Sequence, residues 1–258
     1  MMSLPLVLFV VSVWITGESR EIKSADTVIA GGTVISVEES PFIAFYVCKN
    51  QKMTLTCGSN IISDRFLISA AHCYAENHIE QYIIAGTDVG PSGGNAAGKV
   101  NVEKAVMHPK YNSRTFSHDL LVIKLARSLQ FSSRIQAIKM ESHITSIPAN
   151  SMLQTFGYGL SESNGPPRLR KASVPFVDEQ SCRMKFYELQ QTINEKTICA
   201  GTDGLVTCRG DSGGPLVYNN VLVGITSFGL GQCGLGPAVY TRVGALRHFI
   251  DQTIKSMS

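Results

Sequence analysis

Gly210-Asp211-Ser212-Gly213-Gly214-Pro215, running into Leu216-Val217-Tyr218, is the stretch whose reading decides the fold. It sets a serine in a tight, glycine-rich turn and starts an apolar strand directly after it. A serine hydroxyl is a weak nucleophile at neutral pH, so acyl transfer needs a neighbouring base to take its proton. Glycines around the serine let backbone N–H groups approach a developing oxyanion without side-chain obstruction.

Two further stretches supply what that serine lacks. Ser69-Ala70-Ala71-His72-Cys73 closes one apolar strand, and His118-Asp119-Leu120-Leu121-Val122-Ile123-Lys124-Leu125 opens another. Histidine suits a general base because its ordinary pKa of ~6.5 lies near working pH. A carboxylate on the other ring nitrogen fixes the tautomer and stabilises the imidazolium that forms. Taken singly, His72 reads as a satisfied core histidine and Asp119 as a strand cap. Together with the serine turn, in the order His, Asp, Ser, they point to nucleophilic catalysis. A lipase or esterase fits less well, because its order is Ser, Asp, His.

Composition narrows the class. The 258 residues are 44% hydrophobic and 17% charged, enough for one large domain or two small ones. The net charge of +3 comes from scattered Lys and Arg, not a basic run, which argues against nucleic-acid binding. Met1 to Gly17, apolar from Leu4 to Ile15, reads as a signal peptide, so the mature chain is expected to be secreted. No later segment is apolar for long enough to cross a bilayer. Seven cysteines on an oxidising route imply disulfides and leave at least one unpaired. None forms a C-x-x-C pair, so a zinc site is not expected.

Short β-rich runs recur along the chain: 42–48, 65–71, 81–85, 120–125, 152–158, 170–177, 215–218, 221–228 and 238–243. Gly, Asn, Ser and Pro punctuate them, as at 90–95 and 163–167. Many short strands with little helix predict an all-β sandwich or barrels. At the C-terminus, Leu246, Phe249, Ile250 and Ile254 fall near helical spacing, which predicts an amphipathic helix over 245–254.

With these residues in view, the chain resembles the chymotrypsin/trypsin family of serine proteases. The likeness also rests on Ile29-Ala30-Gly31-Gly32 and Pro237-Ala238-Val239-Tyr240-Thr241-Arg242-Val243, and it covers nearly everything after Val28. It implies two six-stranded antiparallel β-barrels with the active site between them and a C-terminal helix. It implies His72 as base, Asp119 as its orienter and Ser212 as nucleophile, with the N–H groups of Gly210 and Ser212 as oxyanion hole. Ser227, Phe228 and Gly229 would pair with the substrate backbone. The specificity pocket would be Val206, Thr207, Gly229 and Ala238. The implied disulfides are Cys57–Cys73, Cys182–Cys199 and Cys208–Cys233. A further family bridge is missing, with Leu153 and Tyr218 at its two positions, and Cys48 is left over as a small buried residue. No cofactor or metal is implied. The partners are protein or peptide substrates and protein protease inhibitors, met by a monomer.

Two departures qualify the resemblance. Family members are usually zymogens whose new N-terminus pairs with the Asp before the catalytic Ser, here Ile29 and Asp211. This divides the chain into signal 1–17, activation peptide 18–28 and peptidase domain 29–258. Val28 stands where a basic residue usually precedes the cut, so the activator is left unnamed. Val206 stands where trypsin-like members place an aspartate. An arginine or lysine there would be desolvated without a partner, so cleavage is expected after Phe, Tyr, Leu or Met. Arg209 is read as a surface residue or a mild selector on the leaving-group side. The rival reading is a catalytically silent homologue that acts as a binding module.

Overall fold

The computed structural model describes residues 32–90, 98–159, 167–189, 191, 193–207, 210–231 and 235–258. The signal and activation segments, Ile29, Arg209 and the expected Cys208–Cys233 bridge lie outside the described residues.

The chain forms two β-barrels. The first closes in the order β2 (Ile43–Lys49), β3 (Thr54–Ile61), β4 (Phe66–Ser69), β7 (Leu121–Leu125), β6 (Gly98–Met107) and β5 (Glu80–Ala85), with β5 returning to β2. The second runs β10 (Arg170–Val177), β11 (Thr197–Ala200), β14 (Ala238–Arg242), β13 (Val221–Phe228), β12 (Pro215–Tyr218) and β9 (Met152–Gly157), with β9 returning to β10. These twelve barrel pairings are antiparallel. Two short strands add to the second barrel: β1 (Thr33–Val34) on β10, and β8 (Lys139–Met140), parallel to β13.

Burial explains which strands were legible. In β2 every residue from Ile43 to Cys48 is buried, so the strand is a near-continuous apolar run. The strand β6 carries Lys99, Asn101, Glu103 and Lys104 on an outer face, and its charges conceal a long strand. In β3 the buried half is Cys57-Gly58-Ser59-Asn60-Ile61, mostly small or polar, because it lies against the Ser212 turn. The missed helix α1 (Glu179–Phe186) starts at Asp178, whose side chain accepts from Ser181 N–H, and buries only Cys182 and Phe186.

The C-terminal helix α2 spans Val243–Met257, longer at both ends than the expected 245–254. Leu246, Ile250, Thr253 and Met257 are buried at spacings of four and three, giving the stripe that covers the body. Both ends are compensated. Glu141 Oε2 accepts from Gly244 N–H at 3.0 Å, and Lys124 Nζ donates to Met257 O at 2.5 Å. Glu141 is 1% exposed and is also held by a bidentate pairing with Arg242.

Cys57–Cys73 and Cys182–Cys199 are formed, and Cys48 is free and buried. Its thiol accepts from Ala75 N–H and from Gln81 Nε2, both at 3.3 Å. At the missing-bridge positions, Leu153 belongs to an apolar cluster of the second barrel and Tyr218 packs against it.

The two barrels are joined at the backbone carbonyls of the serine turn. Gly58 N–H donates to Ser212 O at 2.7 Å, and Asn60 Nδ2 donates to Gly213 O at 2.8 Å. Gly213 has φ +77°, and a Cβ there would run into Gly58 O and Ser69 Oγ. Gly213→Ala should therefore lose at least about 2 kcal/mol of stability, read as a lower urea midpoint. Gly204→Ala, with φ +74° but open space around it, should lose only the conformational share, about 1 kcal/mol.

Candidate active site

Asp119 precedes β7 and is fully buried at 0% exposure. Its Oδ2 accepts from His72 Nδ1 at 2.7 Å and from Ser227 Oγ at 2.5 Å, and its Oδ1 accepts from His72 N–H at 2.9 Å. A carboxylate can only accept, so Nδ1 carries a ring proton, and Nε2 is the ring nitrogen that Asp119 does not engage. His72 sits in a one-turn 3-10 helix, Ala71–Cys73, pinned by the Cys57–Cys73 bridge. Ser227 comes from the second barrel, where the β13–β14 register shifts between Thr226 and Phe228. Such an irregularity re-aims a side chain, here toward Asp119. The sequence reading gave Ser227 only a substrate-backbone role and missed this bond, which no local motif signals.

Ser212 and His72 line one cavity of about 410 Å³ with Val206, Thr207, Gly229 and Ala238. The four expected pocket residues therefore fall together. Val206 is buried, and nothing lies within 4 Å of where a Cβ on Gly229 would stand. Phe228 also lines the cavity, as do Thr226, Leu230 and Leu235, which the sequence reading did not single out. Phe116 lines it too, with φ +51°, its ring 5.7 Å from His72 and 5.4 Å from Phe228. Its place in a loop three residues before Asp119 carries no sequence signal. Apart from His72, no ionisable side chain among the described residues lines this cavity.

The serine turn has the backbone its glycines allow: Gly210 at φ +93° and Gly213 at φ +77°. Gly213 N–H donates to Thr226 O and Gly214 N–H to Asp211 O, both at 2.9 Å. Asp211 is buried, and its Oδ1 accepts from Gly159 N–H at 3.1 Å. A Cβ on Gly157 would collide with that carboxylate, so Gly157 is part of the seat.

Cys57, His72 and Cys73 are the group of potential metal ligands among the described residues. The two sulfurs are bonded to each other and His72 Nδ1 is taken by Asp119, which leaves one imidazole nitrogen and no chelate. No described helix is long and apolar enough to cross a membrane.

Residues 29–250 match the Trypsin family. The chain belongs to the trypsin family of serine proteases. Trypsin 5G1 of Aedes aegypti is 32% identical over 87% of this chain and 84% of its own length. Trypsin delta of Drosophila erecta is 34% identical over 86% and 87%, and the vitellin-degrading protease of Bombyx mori is 32% identical over 90% and 88%. Among solved structures, GrC superposes with a TM-score of 0.77 at 25% identity, over 87% of this chain and 99% of that one. The scabies mite inactivated protease paralogue S-D1 superposes with a TM-score of 0.78 at 23% identity, over 88% and 97%, a likeness of fold.

His118, to which the sequence assigned no role, is packed beside Asp119 in this trypsin-family chain. Its ring stacks on His108 at 4.6 Å, and His108 also meets Phe249 at 4.4 Å. Burial, then the charges of His118 and Lys110, lower His108 to about 4. Its Nδ1 accepts from Lys110 N–H at 3.1 Å, consistent with a neutral ring. A folded-state pKa below the unfolded value makes this stability complete above pH ~6.5 and lost as pH falls toward 4. His108→Asn should flatten the stability difference between pH 7 and pH 4 by about 2 kcal/mol, measured by urea unfolding at each pH.

Proposed function

We propose that this chain is a secreted serine endopeptidase, made as a zymogen, that cuts after Phe, Tyr, Leu or Met. The observation that carries this reading is that Ser212 and the Asp119-bound His72 line one cavity with Val206, with no carboxylate among the described lining residues. In the reaction, Ser212 Oγ attacks the scissile carbonyl while His72 Nε2 takes its proton. Asp119 stabilises the imidazolium, and the N–H groups of Gly210 and Ser212 receive the oxyanion. The proton passes to the leaving amine, and water then cleaves the acyl-enzyme by the same route. Ser227, Phe228 and Gly229 pair with the substrate backbone.

The named relatives include trypsins, and the residue before the cut is where this chain departs from trypsin-type recognition. A cationic side chain buried against Val206 would lose its hydration with no counter-charge. Removal of signal 1–17 and activation peptide 18–28 frees the Ile29 amine to pair with Asp211, which orders the oxyanion hole. The mature domain, 29–258, acts as a monomer, and protein protease inhibitors enter by the substrate's route.

Three measurements test this. A serine-directed phosphonate should label Ser212 after removal of Glu18–Val28 and not before; no labelling after correct trimming would favour a silent binding module. Asp119→Asn should fold normally and lose about 10⁴-fold in kcat. Peptides varied only before the cut should show Phe, Tyr, Leu or Met favoured over Arg by at least about 100-fold in kcat/KM. A preference for Arg would sink the apolar reading.

A further inference from the structure

Asn60 on β3 is fully buried, on a strand whose other buried residues, Cys57, Gly58, Ser59 and Ile61, are small or apolar. Its Nδ2 donates to Gly213 O at 2.8 Å and to Ile68 O at 3.3 Å. Both partners are carbonyls, which can only accept, so it is the amide nitrogen that faces them. Its Oδ1 has no partner among the described residues. A buried acceptor left unmet carries a desolvation cost that a hydrocarbon of the same shape would not. What an asparagine supplies here in return is the pair of N–H bonds.

The bond to Gly213 O continues into the serine turn. Gly213 O belongs to the peptide unit whose N–H is that of Gly214, and Gly214 N–H donates to Asp211 O at 2.9 Å. Asp211 O belongs in turn to the peptide unit whose N–H is that of Ser212. Asn60 therefore heads a chain of hydrogen bonds and peptide planes that ends on the Ser212 N–H, the group assigned above to the oxyanion. Hydrogen bonds in series polarise one another, so a carbonyl that accepts makes its own peptide N–H a better donor. The second bond, to Ile68 O, ties the same amide to β4, the strand that leads to His72.

We propose that Asn60 is a positioning residue of the oxyanion hole, which fixes and polarises the Ser212 N–H from the other barrel through Gly213 and Asp211. The inference rests on the reading of Ser212 as nucleophile and oxyanion donor given above. Asn60 is fully buried and is not among the residues that line the cavity, so it acts through the turn and not on the substrate. Its contribution grows as negative charge develops on the substrate oxygen and is small before that. Losing it should therefore lower kcat and leave KM nearly unchanged.

The test uses the chain trimmed to Ile29, with kcat counted per site titrated by a serine-directed phosphonate, so that unfolded protein drops out. Asn60→Leu removes both donors, and Asn60→Ser offers one proton to two carbonyls. Each should lose at least about tenfold in kcat while KM changes by less than about twofold. A peptide aldehyde built on the best-cleaved sequence supplies a second readout. Its carbonyl carbon takes Ser212 Oγ, and its oxygen becomes the oxyanion. Affinity for it should fall by the same factor as kcat. Val100→Ala, a truncation elsewhere in the first barrel's core, should lower the melting temperature and leave both readouts as in the wild type. Asn60→Ser decides by the same split if Asn60→Leu fails to fold. Wild-type kcat and aldehyde affinity in a folded Asn60 variant overturn the Asn60 assignment alone. A loss confined to KM, or an equal loss of kcat in Val100→Ala, does the same. Failure of the phosphonate to label Ser212 in the wild type overturns the reading beneath it.

Discussion

Asp119 is the residue on which the arrangement of the cleft depends. A carboxylate removed from water must find donors, or its burial costs several kcal/mol. Its donors come from both barrels: the His72 ring and backbone from the first, Ser227 from the second. Its backbone carbonyl is bound as well, by Thr241 Oγ1 at 2.8 Å from β14. Satisfying this one buried charge therefore fixes the imidazole, the β13 edge and the relative placement of the barrels together. Its charge is felt further out, since Tyr111 is raised to about 12, first by burial and then by Asp119.

The second constraint is the close approach of backbone at the seam. Gly58 and Gly214 meet so tightly that a Cβ on Gly58 would lie 2.8 Å from Gly214 N. Ser69 Oγ donates to Gly58 O at 2.7 Å, and Gly58 N–H in turn holds Ser212 O. The strand that leads to His72 and the turn that carries Ser212 are thus two links apart in one hydrogen-bond chain. This rigidity matters for electrostatic catalysis, where donors must be in place before charge develops.

Much of this was legible in the sequence, for reasons that differ by residue. The strands β10, β12 and β13 were readable to their ends because their alternation or apolar runs reflect burial directly. The serine turn was readable because its glycines serve a backbone conformation, and Gly210 and Gly213 do adopt positive φ. Strands β3, β6 and β11 were not picked out. The first is built of small polar residues at a seam and the second wears charges on a solvent face, so neither shows the pattern of a strand in isolation. Ser227 binding Asp119, Phe116 beside His72, and Gly157 under Asp211 were illegible for a different reason. Each depends on two segments far apart in sequence, and only the closed barrels bring them together.

The central claim is that Ser212, His72 and Asp119 act as one unit on a substrate whose side chain rests on Val206. It is tested most directly by a crystal structure of the trimmed protein reacted with a phosphonate that carries a benzyl-type side chain. The account predicts phosphorus bonded to Ser212 Oγ, one phosphonyl oxygen within hydrogen-bond distance of Gly210 and Ser212 N–H, and the ring in the slot against Val206. An adduct on another residue, or a Ser212 adduct with its ring outside that slot, would contradict it.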